Sequence, residues 1–173
     1  MSWSRRRALL LGPGLLLAGC GFQPLYGGRG KSGYDADLAS IKVGIIADRL
    51  GQLLAISLRD AFNPTNVTVP THYILDVLLI PSRADLGIRA DATASRSEVT
   101  IVAVYKLTEV KTNKLLLNGT TRSVSAFDVL NDDYATTIAQ QNAELRSLDY
   151  LADDLRERVM IFVRQRRSTA GAS

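Results

Sequence analysis

Cysteine and histidine are almost missing from this chain: Cys20 and His72 are the only examples of each. A single thiol closes no intrachain disulfide. One thiol and one imidazole also fall short of any zinc set, and no calcium-loop spacing is present. Nucleophilic catalysis is limited in the same way. A Ser-His-Asp arrangement would have to use His72, and there is no Gly-x-Ser-x-Gly elbow. His72 stands at the head of a predicted strand and reads as a structural edge residue. The acidic pairs Asp132-Asp133 and Asp153-Asp154 point about 100° apart on a helix, so neither pair converges on an ion. Long apolar runs are lacking too. Ala8 to Ala18 is greasy for about 11 residues, or roughly 17 Å of helix, against a hydrocarbon core of ~30 Å. Aromatic residues make up 6% of the chain. Tyr105, Tyr134 and Tyr150 are not interleaved with the basic residues that an RNA-stacking platform needs. No solenoid or propeller repeat is present.

Charge of one sign is scarce once the N-terminus is set aside. The formal charge is +4, but Arg5, Arg6 and Arg7 fall within the first 19 residues, where there is no acid; 18 basic residues then face 17 acidic ones. A near-neutral body lacks the electrostatic footprint of a nucleic-acid binder, so no nucleic-acid partner is expected. Arg164, Arg166 and Arg167 read as a solvated helix end, where cations suit the helix dipole. With 46% hydrophobic and 22% charged residues, the chain is composed like a single folded domain.

What is present begins with order at the N-terminus. Three arginines, a short greasy run interrupted by Gly12-Pro13-Gly14, and Leu17-Ala18-Gly19-Cys20 succeed one another. This resembles a bacterial secretion signal ending in a lipobox. Small residues before the cut let an extended backbone enter a narrow peptidase site, so cleavage is expected between Gly19 and Cys20. The Cys20 thiol then takes a thioether-linked diacylglycerol, and the new amine takes a further acyl chain such as palmitate. One chain holds a protein at a bilayer only marginally, whereas two or three anchor it stably. Gly21 stands where an aspartate commonly retains lipoproteins in the inner membrane, which favours the outer membrane. Ser4-Arg5-Arg6-Arg7 has a twin-arginine look, but Ala8 comes next, where a bulky apolar residue is usual, so the general secretory route is favoured.

The segment Cys20-Gly21-Phe22-Gln23-Pro24-Leu25-Tyr26-Gly27 goes beyond a lipobox. It resembles the mature start of the LPS-assembly lipoprotein LptE family, particularly its alphaproteobacterial members. The resemblance implies a non-enzymatic lipoprotein that sits in the outer-membrane barrel LptD, faces the periplasm, and helps deliver lipopolysaccharide to the outer leaflet. It implies no cofactor beyond the covalent lipid on Cys20, and no metal. By themselves, these residues read as a tether: Pro24 biases Gln23 towards extended backbone, and Gly27, Gly28, Gly30 and Gly33 make the next stretch of chain flexible. Gly30-Lys31-Ser32 looks like the tail of a phosphate-binding loop, but Leu25 stands where that loop needs a glycine.

The remaining pattern predicts a β-α-β-β-β-α order. Residues 40 to 46 alternate as a strand. Asp48 is expected to cap a helix over 48 to 62, with Leu50, Leu53, Leu54, Leu58 and Ala61 on its apolar face and Asn63-Pro64 as its stop. Residues 72 to 80 carry apolar residues on both faces and read as a covered strand ended by Pro81. Residues 82 to 96 read as a loop. Residues 98 to 110 alternate most clearly, with Val99, Ile101, Ala103, Tyr105 and Leu107 on one face. Lys111 to Lys114 reads as a hairpin turn with Asn113 at positive φ, and residues 115 to 127 as a strand with a bulge at Gly119. Asn131 or Asp132 caps a long helix to about Arg166, with Ile138, Leu145, Leu148, Leu151, Leu155, Val159 and Phe162 on one stripe.

The expected fold class is therefore α+β: a two-layer sandwich with two helices on one face of a four-stranded mixed sheet, strands 1 and 2 parallel, strands 2 to 4 an antiparallel meander. The expected domains are a signal peptide over 1–19, a lipidated tether over 20–39, the α+β domain over 40–167 and a disordered tail over 168–173. A protein touching lipopolysaccharide should place cations beside apolar surface. Arg83, Arg89 and Arg96 around the loop between strands 2 and 3, with Lys106 on the mixed face of strand 3, are the candidates; Lys111 and Lys114 come second. The alternative function is an auxiliary lipoprotein of a periplasmic lipid transporter. A lipid-modifying hydrolase is a third class and would depend on His72.

Overall fold

The computed structural model describes residues 37–88 and 94–170. The Gly19–Cys20 cleavage site, the tether before Asp37 and Arg89 lie outside the described residues. In chain order the elements are β1 (Ile41–Val43), α1 (Asp48–Phe62), β2 (Tyr73–Ile88), β3 (Ala94–Glu109), β4 (Lys114–Asp128) and α2 (Asp133–Ala170). Strand order in the sheet is β1-β2-β3-β4, with β1 parallel to β2 and the other neighbours antiparallel. This is the architecture expected from the periodicities.

The alternation in β3 sets the layers. Val99, Ile101, Ala103, Tyr105 and Leu107 are all buried beneath the helices, and the intervening residues face away. Because β3 is central and antiparallel to both neighbours, its parity assigns theirs: Leu75, Val77 and Leu79 oppose Leu107, Tyr105 and Ala103 on the covered face. At the same level of β4, Gly119 opposes Tyr105. It is no bulge; the register shift lies nearer the turn, between Leu107 and Thr108. Gly119 is small because a Cβ there would stand 2.7 Å from Tyr105 Oη and 3.0 Å from its Cζ. Tyr105 is enclosed and has no room to swing aside. Gly119→Ala should therefore lower stability by about 1–3 kcal/mol, read as a shift in the urea midpoint. Adding Tyr105→Phe should recover part of the loss.

Several boundaries differ from expectation for physical reasons. β1 covers only Ile41–Val43, not 40–46, because the chain turns off after Gly44 donates to the Leu75 carbonyl (2.8 Å). Asp48 does not cap α1. Ala47 occupies the cap position with no side-chain bond, and Asp48 takes φ 66°, a conformation aspartate tolerates better than most residues. This turn tucks Ile46 beneath the helix, where Gly51 leaves space; a Cβ at Gly51 would lie 2.6 Å from Ile46 Cγ2. Asn63 ends the helix as expected: its backbone N–H reaches the Arg59 carbonyl, and its side chain both donates to and accepts from the Val67 backbone.

Pro81 does not end β2, and the expected loop over 82 to 96 is largely strand. β2 continues to Ile88, and Ser82, Arg83 and Ala84 oppose Thr100, Val99 and Glu98 on β3. Proline is tolerated because β1 pairs only with Tyr73–Leu75, so among the described residues the outer side of β2 has no partner strand from Asp76 onwards. The turn at residues 111–113 forms as predicted, with Asn113 at φ 52°.

α2 is roughly 57 Å long, matching the length of the long hairpin, and Asp132 caps it by accepting from the Tyr134 and Ala135 N–H groups. The helix runs to Ala170, past the expected end near Arg166. Leu148, Leu151, Leu155 and Val159 are buried, joined by Ala143, Ala152, Met160 and Val163. Ile138 and Leu145, expected on the same stripe, are exposed. α1 is only 15 residues long and flanks α2 near Arg156, whose Nε donates to the Ala61 carbonyl. The N-terminal half of α2 instead lies close on β4 through small residues, with Ser147 donating to Ser125.

Candidate functional site

Among the described residues α1 and α2 lie on one face of the sheet, and the opposite face is open. Its rows are set by the register: Asp76, Lys106 and Asn118; Leu78, Val104 and Thr120; Ile80, Val102 and Arg122; then Ser82, Thr100 and Val124. Leu78, Ile80, Val104 and Val124 are between 40% and 59% exposed, forming an apolar band across three strands. The expectation that β2 would be covered on both faces is therefore corrected: Leu75 and Val77 are buried, but Leu78 and Ile80 meet the surroundings.

Cations flank this band. Lys106 projects from the open face, 3.7 Å from Asp76. Arg122 sits on the row of Ile80 and Val102, about four residues or roughly 13 Å along β4 from the Lys106 row. Arg122 is not among the residues the sequence singles out. Its signal is a lone cation alternating with Thr121 and Ser123, and only the registered meander places that cation beside Val102. Arg96 also lies on this face, opposite Asp128, but ten residues from Lys106 on β3, roughly 33 Å.

Arg83 points the other way. It shares the covered face with Val99, donates to Gln140 on α2 (3.0 Å) and to Ser97 (3.2 Å), pairs with Asp85 (3.4 Å), and lies 5.2 Å over the Phe127 ring. A guanidinium engaged on four sides is a fastener between the hairpin and α2. Arg83 and Arg96, expected around one loop, thus stand on strands and on opposite faces of the sheet, while Lys106 lies on the face where it was expected.

Two carboxylates are held below their ordinary range. Asp85 is lowered mainly by the hydroxyl of buried Ser97, with Arg83 assisting against desolvation. Glu109 is lowered by Thr112 (2.6 Å) and then by Arg166 (2.8 Å). Each therefore contributes stability that is fully present above its unfolded value, 3.8 for Asp85 and 4.5 for Glu109. That contribution is lost as pH falls through the lower folded value. The urea midpoint should hold steady against these groups from pH 7 to about 5 and decline below about 4. Asp85→Asn should flatten part of that decline.

His72 sits just before β2. Its backbone N–H donates to Ser40, and its ring meets Tyr73 edge-on at 6.3 Å. Among the described residues no cluster of His, Cys, Asp or Glu is placed to hold a metal ion, and no helix is long and apolar enough to cross a membrane.

A two-layer α+β domain with one open sheet face is the class this geometry defines, and known structures share it. A protein described as a lipoprotein of Caulobacter crescentus CB15 superposes with a TM-score of 0.62 at 24% identity, covering 78% of this chain and 98% of its own. Lipoprotein B of Nitrosomonas europaea gives 0.54 at 11% identity, covering 71% and 83%. The rare lipoprotein B of Shewanella oneidensis gives 0.50 at 11%, covering 76% and 96%. At these identities the likeness is one of fold. No curated protein matches the chain. The LptE lipopolysaccharide-assembly family model matches residues 38–161, and the chain belongs to that family.

Proposed function

We propose that this LPS-assembly lipoprotein is anchored in the outer membrane through acyl chains on Cys20, faces the periplasm, and seats its α+β domain in the LptD barrel. There it assists assembly of the barrel and delivery of lipopolysaccharide to the outer leaflet. The family match over residues 38–161 carries this reading. The open face supplies suitable chemistry: an apolar band for acyl chains or a barrel wall, with Lys106 and Arg122 for the acidic groups of lipopolysaccharide. The protein acts by contact in this reading and makes or breaks no bonds. The expected Arg96 and Lys106 keep their place among the lipid contacts, Arg122 joins them, and Arg83 serves the fold.

Photocrosslinking in cells tests it. A photoreactive residue at Val104 or Val124 should capture the barrel or the sugar-lipid, and gentle extraction should bring the barrel down with the chain. Lys106→Glu with Arg122→Glu should reduce the captured sugar-lipid at least tenfold or so, the scale of losing a charged hydrogen bond. Recovery of free monomer alone, or of inner-membrane transporter subunits, would overturn the reading.

A further inference from the structure

A second surface lies at the pole where the chain enters the domain. Asp37 pairs with Arg167 of α2 (2.5 Å), and its carbonyl accepts from Ser40. The Ser40 carbonyl accepts from the His72 N–H, and the His72 carbonyl from the Val110 N–H (2.9 Å). Arg166 reaches Glu109 (2.8 Å) and lies 5.9 Å from the Tyr73 ring centroid. The entry point, the β3–β4 turn and the end of α2 are therefore one surface. Arg166 and Arg167, expected to be merely solvated, occupy both acids of this pole. Exposed Lys42, Lys111 and Lys114 lie here beside exposed Val110 and Leu115, with Lys114 opposite Glu109 and sharing that carboxylate with Arg166. Lys42 and Lys111 have no ion-pair partner among the described residues.

We infer that this pole rests on an anionic phospholipid surface, with the lysines at headgroup depth and Val110 and Leu115 dipping beneath. The inference rests on the lipid anchor at Cys20. Sixteen residues lie between Cys20 and Asp37, at most about 60 Å of extended chain. The pole at Asp37 is thus where the anchored tether joins the domain. The acyl chains supply the anchoring, and a basic patch adds to it by orienting the domain on an anionic leaflet. Each lysine near an anionic leaflet raises local partition about fivefold. The open face of the sheet is a separate surface, because its apolar band lies farther from the entry point.

The test uses the mature lipoprotein in vesicles of phosphatidylcholine alone or with roughly one-third phosphatidylglycerol. The chain's single tryptophan, Trp3, precedes Cys20, so Leu115→Trp and Leu130→Trp each provide the sole reporter, at opposite poles. Bromine-labelled lipid should quench Leu115→Trp several-fold more than Leu130→Trp, and only in the anionic vesicles. Lys111→Glu with Lys114→Glu should remove that difference, as should 1 M salt, where the Debye length is about 3 Å. Melting curves check that each variant folds. Equal quenching at the two poles overturns the inference. So does quenching indifferent to the two lysines, including the case where their reversal abolishes only barrel co-purification. The mass of the same preparation separates the two proposals. Acylated Cys20 without quenching overturns the surface contact alone, and an unmodified Cys20 overturns the anchor with it.

Discussion

Replacing Cys20 by serine should remove the protein from the outer-membrane fraction almost completely. A serine hydroxyl takes no thioether-linked diacylglycerol, and without that step the signal is not cut before residue 20. Each buried methylene contributes about 0.8 kcal/mol, so the acyl chains of a full lipoprotein hold far more strongly than protein contacts with a bilayer. The basic pole cannot replace them, since three lysines at about 1 kcal/mol each leave binding weak and reversible. The readouts are fractionation, the mass of the mature chain, and the lipopolysaccharide reaching the cell surface, which should fall. Retention of Cys20→Ser in the outer-membrane fraction with normal surface lipopolysaccharide would contradict both the anchor and its role.

The second large effect lies in the core. Leu151 and Leu155, one turn apart on α2, are completely buried where that helix faces the sheet and α1. Leu155→Ala should lower stability by about 2–5 kcal/mol, through lost transfer energy and the cavity left behind. Against a typical total of about 5–15 kcal/mol, that is a decrease of roughly 10 °C in melting temperature for a domain of this size. Ile138→Ala and Leu145→Ala should each change stability by less than about 1 kcal/mol, because both side chains remain exposed. All of these residues share one apolar stripe in the sequence, so equal losses across the set would mean that the N-terminal half of α2 is covered in solution. Leu151→Ala and Leu155→Ala together should not be additive, since the two side chains are neighbours.

The candidate site is only partly legible before the strands are registered. Lys106 can be found because β3 alternates so regularly that its outward face reads directly from the sequence. Arg83 is misplaced by such a reading because 82 to 96 is polar and rich in small residues, a composition that suits a loop. In the fold, residues 82–88 and 94–96 are paired strand, held at the inner side by Arg83, Asp85, Ser97 and Gln140. Arg122 escapes notice because Thr120, Thr121 and Ser123 around it are polar; apart from Val124, its apolar neighbours come from β2 and β3. The pairing of Arg166 with Glu109 and of Arg167 with Asp37 joins residues far apart in the chain, beyond the reach of any local pattern.

Order along the chain was the sequence's own contribution: arginines, greasy run, small residues and Cys20 in succession, then β-α-β-β-β-α from the change between two-residue and 3.6-residue periods. Those features depend on neighbours a few positions apart, so they survive without knowledge of what packs where. Tertiary structure decided coverage. A short α1 leaves half of α2 uncovered, a three-residue β1 leaves β2 an edge that accepts Pro81, and two helices on one side leave Leu78, Ile80, Val104 and Val124 open on the other. Burial is a property of the partner as much as of the residue, and partners become known only when the elements meet.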